Sequence, residues 1–461
     1  MMVSVRTWFS SLPEGWTTVP LGQLGQFKTS SVDKKSNGDE VPVGIINYLD
    51  VYRSRDGKIT SSLSPQRVTA RPSQLLSSDL RRGDILFTPS SETRDDIGHC
   101  AVVIEDLKDT LFSYHLVRFR PRSGIPLDLR YRFYLCENPI VGAQFSIRAS
   151  GTTRMVISLA DFREVTVALP PLGTQKKLAD FLDRETERID GLIEKKERLI
   201  ALLEEKWAAL ITGAVTKGLD PTVPMKDSGV EWIGEIPEHW EVSTVKRVAQ
   251  IDNSGSYGED PDKADFAAPV ATTAQIDSRG HFKVAQMPTR GFNEQDLKRY
   301  GCRPGDILVV KSSGSVSNVI SGKAGVVLQD TPFFVFSNFL LRVKPNPKQA
   351  HPHYLFLLLN SHLTKERVNR MVAGTTYPNL RVSEYVSSGI PLPPLSEQGA
   401  IYTALKADLA RIDRVREMSS KSITLLRERR SALITAAVTG QIDVRSWRPP
   451  DDWTAPEVPT A

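Results

Sequence analysis

Apolar residues recur along two stretches of this chain with alternating steps of four and three. The first stretch reads Leu182, Thr186, Ile189, Ile193, Lys196, Ile200, Leu203, Trp207, Leu210. The second reads Leu405, Leu409, Ile412, Arg416, Ser419, Ile423, Leu426, Arg430, Leu433. This alternation lines one seam of a helix that coils against a partner helix. The polar members, Lys196, Arg416, Ser419 and Arg430, weaken the seam locally and are suited to fixing register or partner choice. Ahead of each stretch stands a proline pair, Pro170-Pro171 and Pro393-Pro394. Proline cannot continue a helix backward, so both helices are expected to start just beyond, with Gly173 and Ser396 as N-caps.

Shorter patterns precede the helices. Asp84 to Phe87, Cys100 to Ile104 and Leu116 to Phe119 are Val- and Ile-rich runs flanked by turn residues, and they read as strands. Leu127 to Ile147 reads as a helix, with His353 to Val372 as its counterpart.

The whole pattern occurs twice. Pro13-Glu14-Gly15-Trp16 returns as Pro237-Glu238-His239-Trp240, and Gly83-Asp84-Ile85-Leu86 as Gly305-Asp306-Ile307-Leu308. Ser113 to Arg118 returns as Ser337 to Arg342, and Gly151-Thr152-Thr153 as Gly374-Thr375-Thr376. Leu169 to Leu172 returns as Leu392 to Leu395, and the helix end Ala209 to Thr216 as Ala432 to Thr439. The offsets are 224, 222, 224, 223, 223 and 223, and they are constant from the Gly-Thr-Thr pair onward. Insertions are tolerated in loops but not in an uninterrupted helix.

The expected fold is therefore α+β: two duplicated mixed α/β domains joined by two long antiparallel coiled-coil helices with pseudo-twofold symmetry. The divisions are 1–172 (first mixed domain), 173–217 (first long helix), 218–236 (linker), 237–395 (second mixed domain) and 396–443 (second long helix). The Pro-rich tail 444–461 is expected to be disordered. Antiparallel pairing is required because the first helix must lead through a linker into the second domain before the second helix begins. Leu182 to Leu210 spans about 42 Å at 1.5 Å per residue. One turn of B-DNA is about 34 Å, so such a rod suits two modules spaced about a helical turn apart.

Composition adds limits. The chain has 461 residues, 40% apolar and 25% charged, with a formal charge of +5. That is globular and mildly basic, compatible with nucleic acid without requiring it. The three cysteines, Cys100, Cys136 and Cys302, are far apart and lack any CxxC spacing, which argues against a zinc ribbon or a disulfide framework and suits a cytoplasmic location. No signal peptide and no apolar run of membrane-spanning length is read.

The repeated Leu-Pro-Pro-Leu-x-x-Gln motifs at Leu169 to Gln175 and Leu392 to Gln398 resemble those of type I restriction–modification specificity subunits. So do the stretch Asp227 to Trp240 and the helix ends Leu210 to Thr216 and Leu433 to Thr439. The resemblance spans nearly the whole chain up to Val444. It implies two target-recognition domains, each reading half of an asymmetric bipartite site in double-stranded DNA, with the helices setting the gap. It also implies docking of two adenine methyltransferase subunits and, in the restriction-competent assembly, motor–nuclease subunits. S-adenosylmethionine, ATP and Mg are then expected on those partners and no cofactor on this chain.

Base contacts specify and phosphate contacts position. Loops mixing Lys or Arg with Ser, Thr and Gly can do both. The candidates after the Gly-Asp-Ile-Leu strands are Thr88, Ser90, Ser91, Thr93 and Arg94, then Lys311, Ser312, Ser313 and Ser315. The Gly-Thr-Thr loops add Thr152, Thr153 and Arg154, then Thr375, Thr376 and Tyr377. Arg94, Arg154 and Lys311 suit phosphate or guanine, and Tyr377 suits stacking or a thymine methyl and equally a place in the core. Ser, Thr and Gly beside a strand equally often just close turns.

Catalytic signatures are missing. The Pro-Pro pairs follow leucine rather than Asn or Asp, Gly322-Lys323 precedes Ala324 rather than Ser or Thr, and His351 with His353 lacks further metal ligands. The rival reading is an adaptor whose coiled-coil scaffold presents protein-binding heads.

Overall fold

Two buried glutamines set where the long helices begin. The computed structural model describes residues 8–9, 11–54, 56–312, 319–372, 379–450 and 453–454. In it the helices run Leu172–Lys217 and Leu395–Val438. They start one residue ahead of the expected caps, Gly173 and Ser396. Pro171 and Pro394 supply the first carbonyls instead, accepting from Gln175 N and Gln398 N, each at 3.0 Å. A proline there sacrifices no donor, because a helix start has N–H groups to spare.

Gln175 Nε2 donates to the carbonyls of Pro170 (2.9 Å) and Pro126 (3.0 Å), while its Oε1 accepts from Asp128 N (2.9 Å). Gln398 repeats the arrangement with Pro393 (2.9 Å), Gln349 (3.0 Å) and His351 N (2.8 Å). Both side chains are fully buried. Each ties the first helical turn to the segment leading into the shorter helices, and burial is tolerated because the amide is satisfied.

The chain divides into two compact units, Met1–Lys196 with Lys421–Ala461, and Glu197–Ser420. In the first, a five-stranded sheet is ordered Gly25–Thr29, Val117–Pro121, Ile85–Phe87, Cys100–Val103, Lys58–Ile59. A three-stranded sheet joins Gln66–Ala70, Val41–Ile46 and Thr110–Phe112. In the second unit a four-stranded sheet keeps the same plan: Ala249–Asp252, Leu340–Pro345, Ile307–Val310, Ala324–Val326. Each unit also pairs a strand near the start of its module with the strand before a long helix, Thr17 opposite Leu169 and Glu241 opposite Leu392. The matched turns rest on Gly83 and Gly305, at φ +91° and +90°, a region that favours glycine. The following aspartates close those turns: Asp84 Oδ2 accepts from Arg81 N (2.8 Å) and Asp306 Oδ2 from Arg303 N (3.0 Å).

Within each unit the long helices run antiparallel. In the first, Leu178, Ala179 and Leu182 share a core with Ile434, Ala437 and Val438, and Arg430 reaches Asp190 at 3.0 Å. In the second, Arg416 reaches Glu204 at 3.5 Å, and the carboxylate of Glu397 accepts from Trp240 Nε1 at 3.1 Å beside Gly218. No seam position is exposed: Leu182, Ile189, Ile193, Leu405, Ile412 and Ile423 are buried, and Ile200, Leu203, Leu210, Leu409, Leu426 and Leu433 are half-buried. Two of the polar seam residues, Arg416 and Arg430, are the ones in ion pairs. The matched helix ends also share a hydrogen bond, Thr216 Oγ1 to Thr212 O (2.6 Å) and Thr439 Oγ1 to Thr435 O (2.7 Å).

Three expectations are corrected. Leu127 to Ile147 is two helices, Tyr131–Cys136 and Pro139–Arg148. Pro139 cannot continue the first, and Asn138 caps the second by accepting from Ile140 N and Val141 N. The counterpart likewise splits into Pro352–Asn360 and His362–Val372 at Ser361, whose Oγ donates to Leu358 O at 2.7 Å. The start of the tail is packed rather than disordered: Val444 is buried, and the Trp447 ring lies 5.6 Å from Phe181. Apolar area hidden there outweighs the loss of chain freedom. The 218–236 segment carries all but the last residue of a small hairpin, Met225–Asp227 against Glu235–Pro237.

Candidate nucleic-acid interface

In the first unit the strand Ile85–Phe87 leads through Thr88-Pro89 into Ser90–Ser91, which pairs antiparallel with Met155–Val156. Ser150 and Val156 exchange two backbone hydrogen bonds (3.1 and 2.9 Å), so Gly151-Thr152-Thr153-Arg154 forms the tip of a small hairpin. The two loops singled out separately in the sequence are thus stitched together.

Ser90 is the junction. Its Oγ accepts from Arg154 Nε (3.1 Å), and its carbonyl accepts from Tyr48 Oη (3.1 Å). The Arg154 guanidinium lies 6.0 Å from the centre of the Tyr48 ring. Arg154, Thr152 and Thr153 are exposed, as are Thr93 and Arg94. Thr88 and Ser91 are buried instead, with Ser91 Oγ accepting from Thr93 N at 3.4 Å.

Further groups surround Arg154. Tyr114, half exposed, lies with its ring 3.8 Å from that of His115. Burial first, then the positive charges of Arg154 and Lys34, hold the His115 pKa below its ordinary value. Burial first and then the charge of Asp96 raise that of the Tyr48 phenol, against the opposing charge of Arg154. The acidic members of the 92–96 loop are partly engaged by residues outside it: Asp96 accepts from Tyr52 Oη (2.8 Å) and pairs with His99 Nε2 (2.7 Å), and Asp95 accepts from Ser146 (3.2 Å). An arginine with donors to spare beside aromatic faces can meet phosphate oxygens, guanine edges and base planes.

The second unit repeats the junction. Lys311 follows the strand Ile307–Val310, its N–H donating to Phe339 O (3.0 Å) and its carbonyl accepting from Leu380 N (2.6 Å), while Ser312 bridges Asn379. Lys311 Nζ donates to Asn253 O (2.9 Å). Burial lowers its pKa against the pull of Asp252. Half-exposed Phe339 stands where the first copy has His115, and Arg290 lies over the exposed Tyr257 ring at 4.9 Å. Ser313, Ser315, Thr375, Thr376 and Tyr377 lie outside the described residues.

Sequence reasoning overlooked Tyr48, Tyr114, His115, Phe339 and the Tyr257–Arg290 pair. The repeat of Ser113 to Arg118 contained the signal for His115 and Phe339, which lie in the turns just before the strands Val117–Pro121 and Leu340–Pro345. Among the described residues no cluster of three His, Cys, Asp or Glu side chains could hold a metal, and no helix is long and apolar enough to cross a membrane. The three cysteines are free and buried.

Comparison with known proteins returns the same duplication. A family model described as the type I restriction modification DNA specificity domain matches residues 13–202 and again 237–417. The chain is 25% identical over 442 residues to the type I restriction enzyme MjaVIII specificity subunit of Methanocaldococcus jannaschii, covering 94% of this chain and 95% of that one. It is 21% identical over 450 residues to the type I restriction enzyme EcoKI specificity subunit of Escherichia coli strain K12, covering 95% and 91%. A chain solved to explain complex assembly and conformational transition of the type I R-M system shares the fold, with a TM-score of 0.65 at 18% identity, covering 94% of this chain and 100% of that one.

Proposed function

The chain belongs to the type I restriction–modification DNA specificity family, and we propose that each of its two modules reads one half of an asymmetric, bipartite DNA site. The observation that carries this reading is a junction after each Gly-Asp-Ile-Leu strand: Ser90 meets Arg154 of the Gly-Thr-Thr hairpin in one unit, and Ser312 bridges Asn379 in the other. Two different sets of side chains on one duplicated frame suit two different half-sites. The long helices set the spacing between those halves.

The chain does no chemistry itself in this reading. It docks two adenine methyltransferase subunits, which bind S-adenosylmethionine and extrude the target base, and motor–nuclease subunits that use ATP and Mg, all in the cytoplasm. Support for docking comes from apolar residues left exposed on the long helices at heptad spacing: Leu192 with Leu199, and Met418 with Leu425. Residues seven apart share a helix face, and exposed apolar stripes mark partner surfaces.

The test is duplex binding by the chain with its methyltransferase across a salt series. Phosphate contacts make log affinity fall linearly with log salt, by about 0.9 per contact. Binding that ignores both salt and sequence favours the adaptor reading.

A further inference from the structure

The duplication supplies an internal control for a cavity in the first unit. In the second unit Arg279 is almost fully buried, with Nη1 3.0 Å from Glu204, Nε 2.5 Å from Asp413, and its guanidinium 4.3 Å over the Trp207 ring. Arg279 precedes Gly280, whose φ is +80° and whose carbonyl accepts from Val326 N (3.1 Å). Gly57 repeats this in the first unit, with φ +64° and its carbonyl accepting from Val102 N (2.8 Å). The residue before it is Asp56, so a carboxylate stands where the other copy has an arginine.

The helix positions correspond at the same spacing of 223 residues. Asp413 matches Asp190, which is kept, whereas Trp207 matches Arg430. The first unit has therefore lost both the inserted arginine and the indole beneath it. In their place lies a cavity of about 600 Å³. This falls within the roughly 300–1,000 Å³ of small-molecule sites.

Apolar side chains such as Ile104 and Phe133 line part of the cavity, and so do the carboxylates of Asp56, Asp183, Glu187, Asp190 and Glu194. Lys58, Arg130 and Arg430 are the cations of the lining, so five carboxylates against three cations leave a net of two negative charges. Asp183 and Asp190 are engaged by Arg130 and Arg430, at 3.0 Å each. Glu187 and Glu194 have no ion pair among the described residues.

We infer that this cavity binds a small organic cation, a guanidinium or primary ammonium on a short alkyl stem, in the place that Arg279 fills in the other copy. The retained aspartate, the reversed charge at Asp56 and the apolar lining each match one part of such a ligand. Its source is either a free compound or an arginine side chain presented by another protein.

Calorimetric titration of the full chain with agmatine, and separately with N-acetyl-arginine amide, tests this. Saturable binding of at least one is expected with a Kd below about 1 mM, and none of uncharged butylurea. Asp56→Arg, which installs the second copy's residue, is expected to abolish binding. Because that variant could perturb the fold, the exposed pair Glu187→Gln/Glu194→Gln is the second arm, expected to weaken binding at least about threefold by removing partly screened attraction. Preference for agmatine indicates a free compound, and preference for the amide a presented side chain. Failure of both ligands to bind, or unchanged binding by both variants, overturns the inference.

Discussion

Arg154 Nε donates to Ser90 Oγ at 3.1 Å, joining the tip of one loop to the strand end of another. The hairpin that Ser150 and Val156 close is thereby tied to the neighbouring loop. Arg154→Ala is expected to weaken duplex binding by about tenfold and to reduce the salt slope by about one contact. Arg154→Lys keeps the charge but loses the fork geometry, and falls between. Fluorescence anisotropy over a salt series reads both effects.

The buried glutamines give a stability prediction. Gln175→Ala strands two carbonyls and one N–H in a closed environment, so unfolding should become easier by about 2–4 kcal/mol. Gln398→Ala should cost a similar amount, since its partners are equivalent. Denaturant melts of each variant measure this, and a loss confined to one copy contradicts the equivalence.

Arg279 is the pin between its module and the helix pair in the second unit. Arg279→Ala leaves Asp413 and Glu204 with Arg416, at 3.8 and 3.5 Å, in place of their nearest cation, at about 2–4 kcal/mol, less than for a fully enclosed pair because Glu204 is 43% exposed. Thermal melting with limited proteolysis of the second unit checks it.

Acid sensitivity follows from the buried sheet arginines. Arg118 Nη1 donates to Asp79 Oδ1 (2.6 Å), and Arg342 Nη2 to Asp252 Oδ2 (2.7 Å). Burial alone would raise both carboxyl pKa values, but the arginines, joined at Asp252 by hydrogen bonds from Ser254, outweigh it, and both end below the ordinary value. A carboxyl lowered on folding stabilises the fold above its unfolded pKa, near 4, and that stabilisation is lost as pH falls through the folded value. Asp79→Asn is therefore expected to lower stability at pH 7 and to flatten its decline below about pH 4. Melts across pH 3 to 7 read the slope.

The long helices were legible because a seam of period 3.5 is a local signal that repeats. The matched offsets likewise exposed the duplication, since both copies keep the residues that close turns and fill cores. The break at Ser361 was not legible, because no proline marks it and the serine stops the helix through a contact to Leu358. Nor was the packing of Trp447 on Phe181, which needs partners far apart in sequence. The interface was half legible. Polar loops announced themselves, but Tyr48 and His115 enter it only through the way the strands converge, and Thr88 lies inside because its backbone pairs with Gly98 and His99.

Inserting one heptad into each long helix lengthens it by about 10.5 Å, or about three base pairs of B-DNA. Both half-sites should remain unchanged while the permitted gap grows, as selection from a duplex library with randomised spacing would show. An unchanged gap rejects the helices as the spacer.

The most direct measurement is a map of methylated adenines in cells with and without this chain. The account predicts a bipartite, asymmetric motif that is methylated only when the chain is present. Methylation that is unaffected by its loss, or that depends on it at an uninterrupted symmetric motif, contradicts the account.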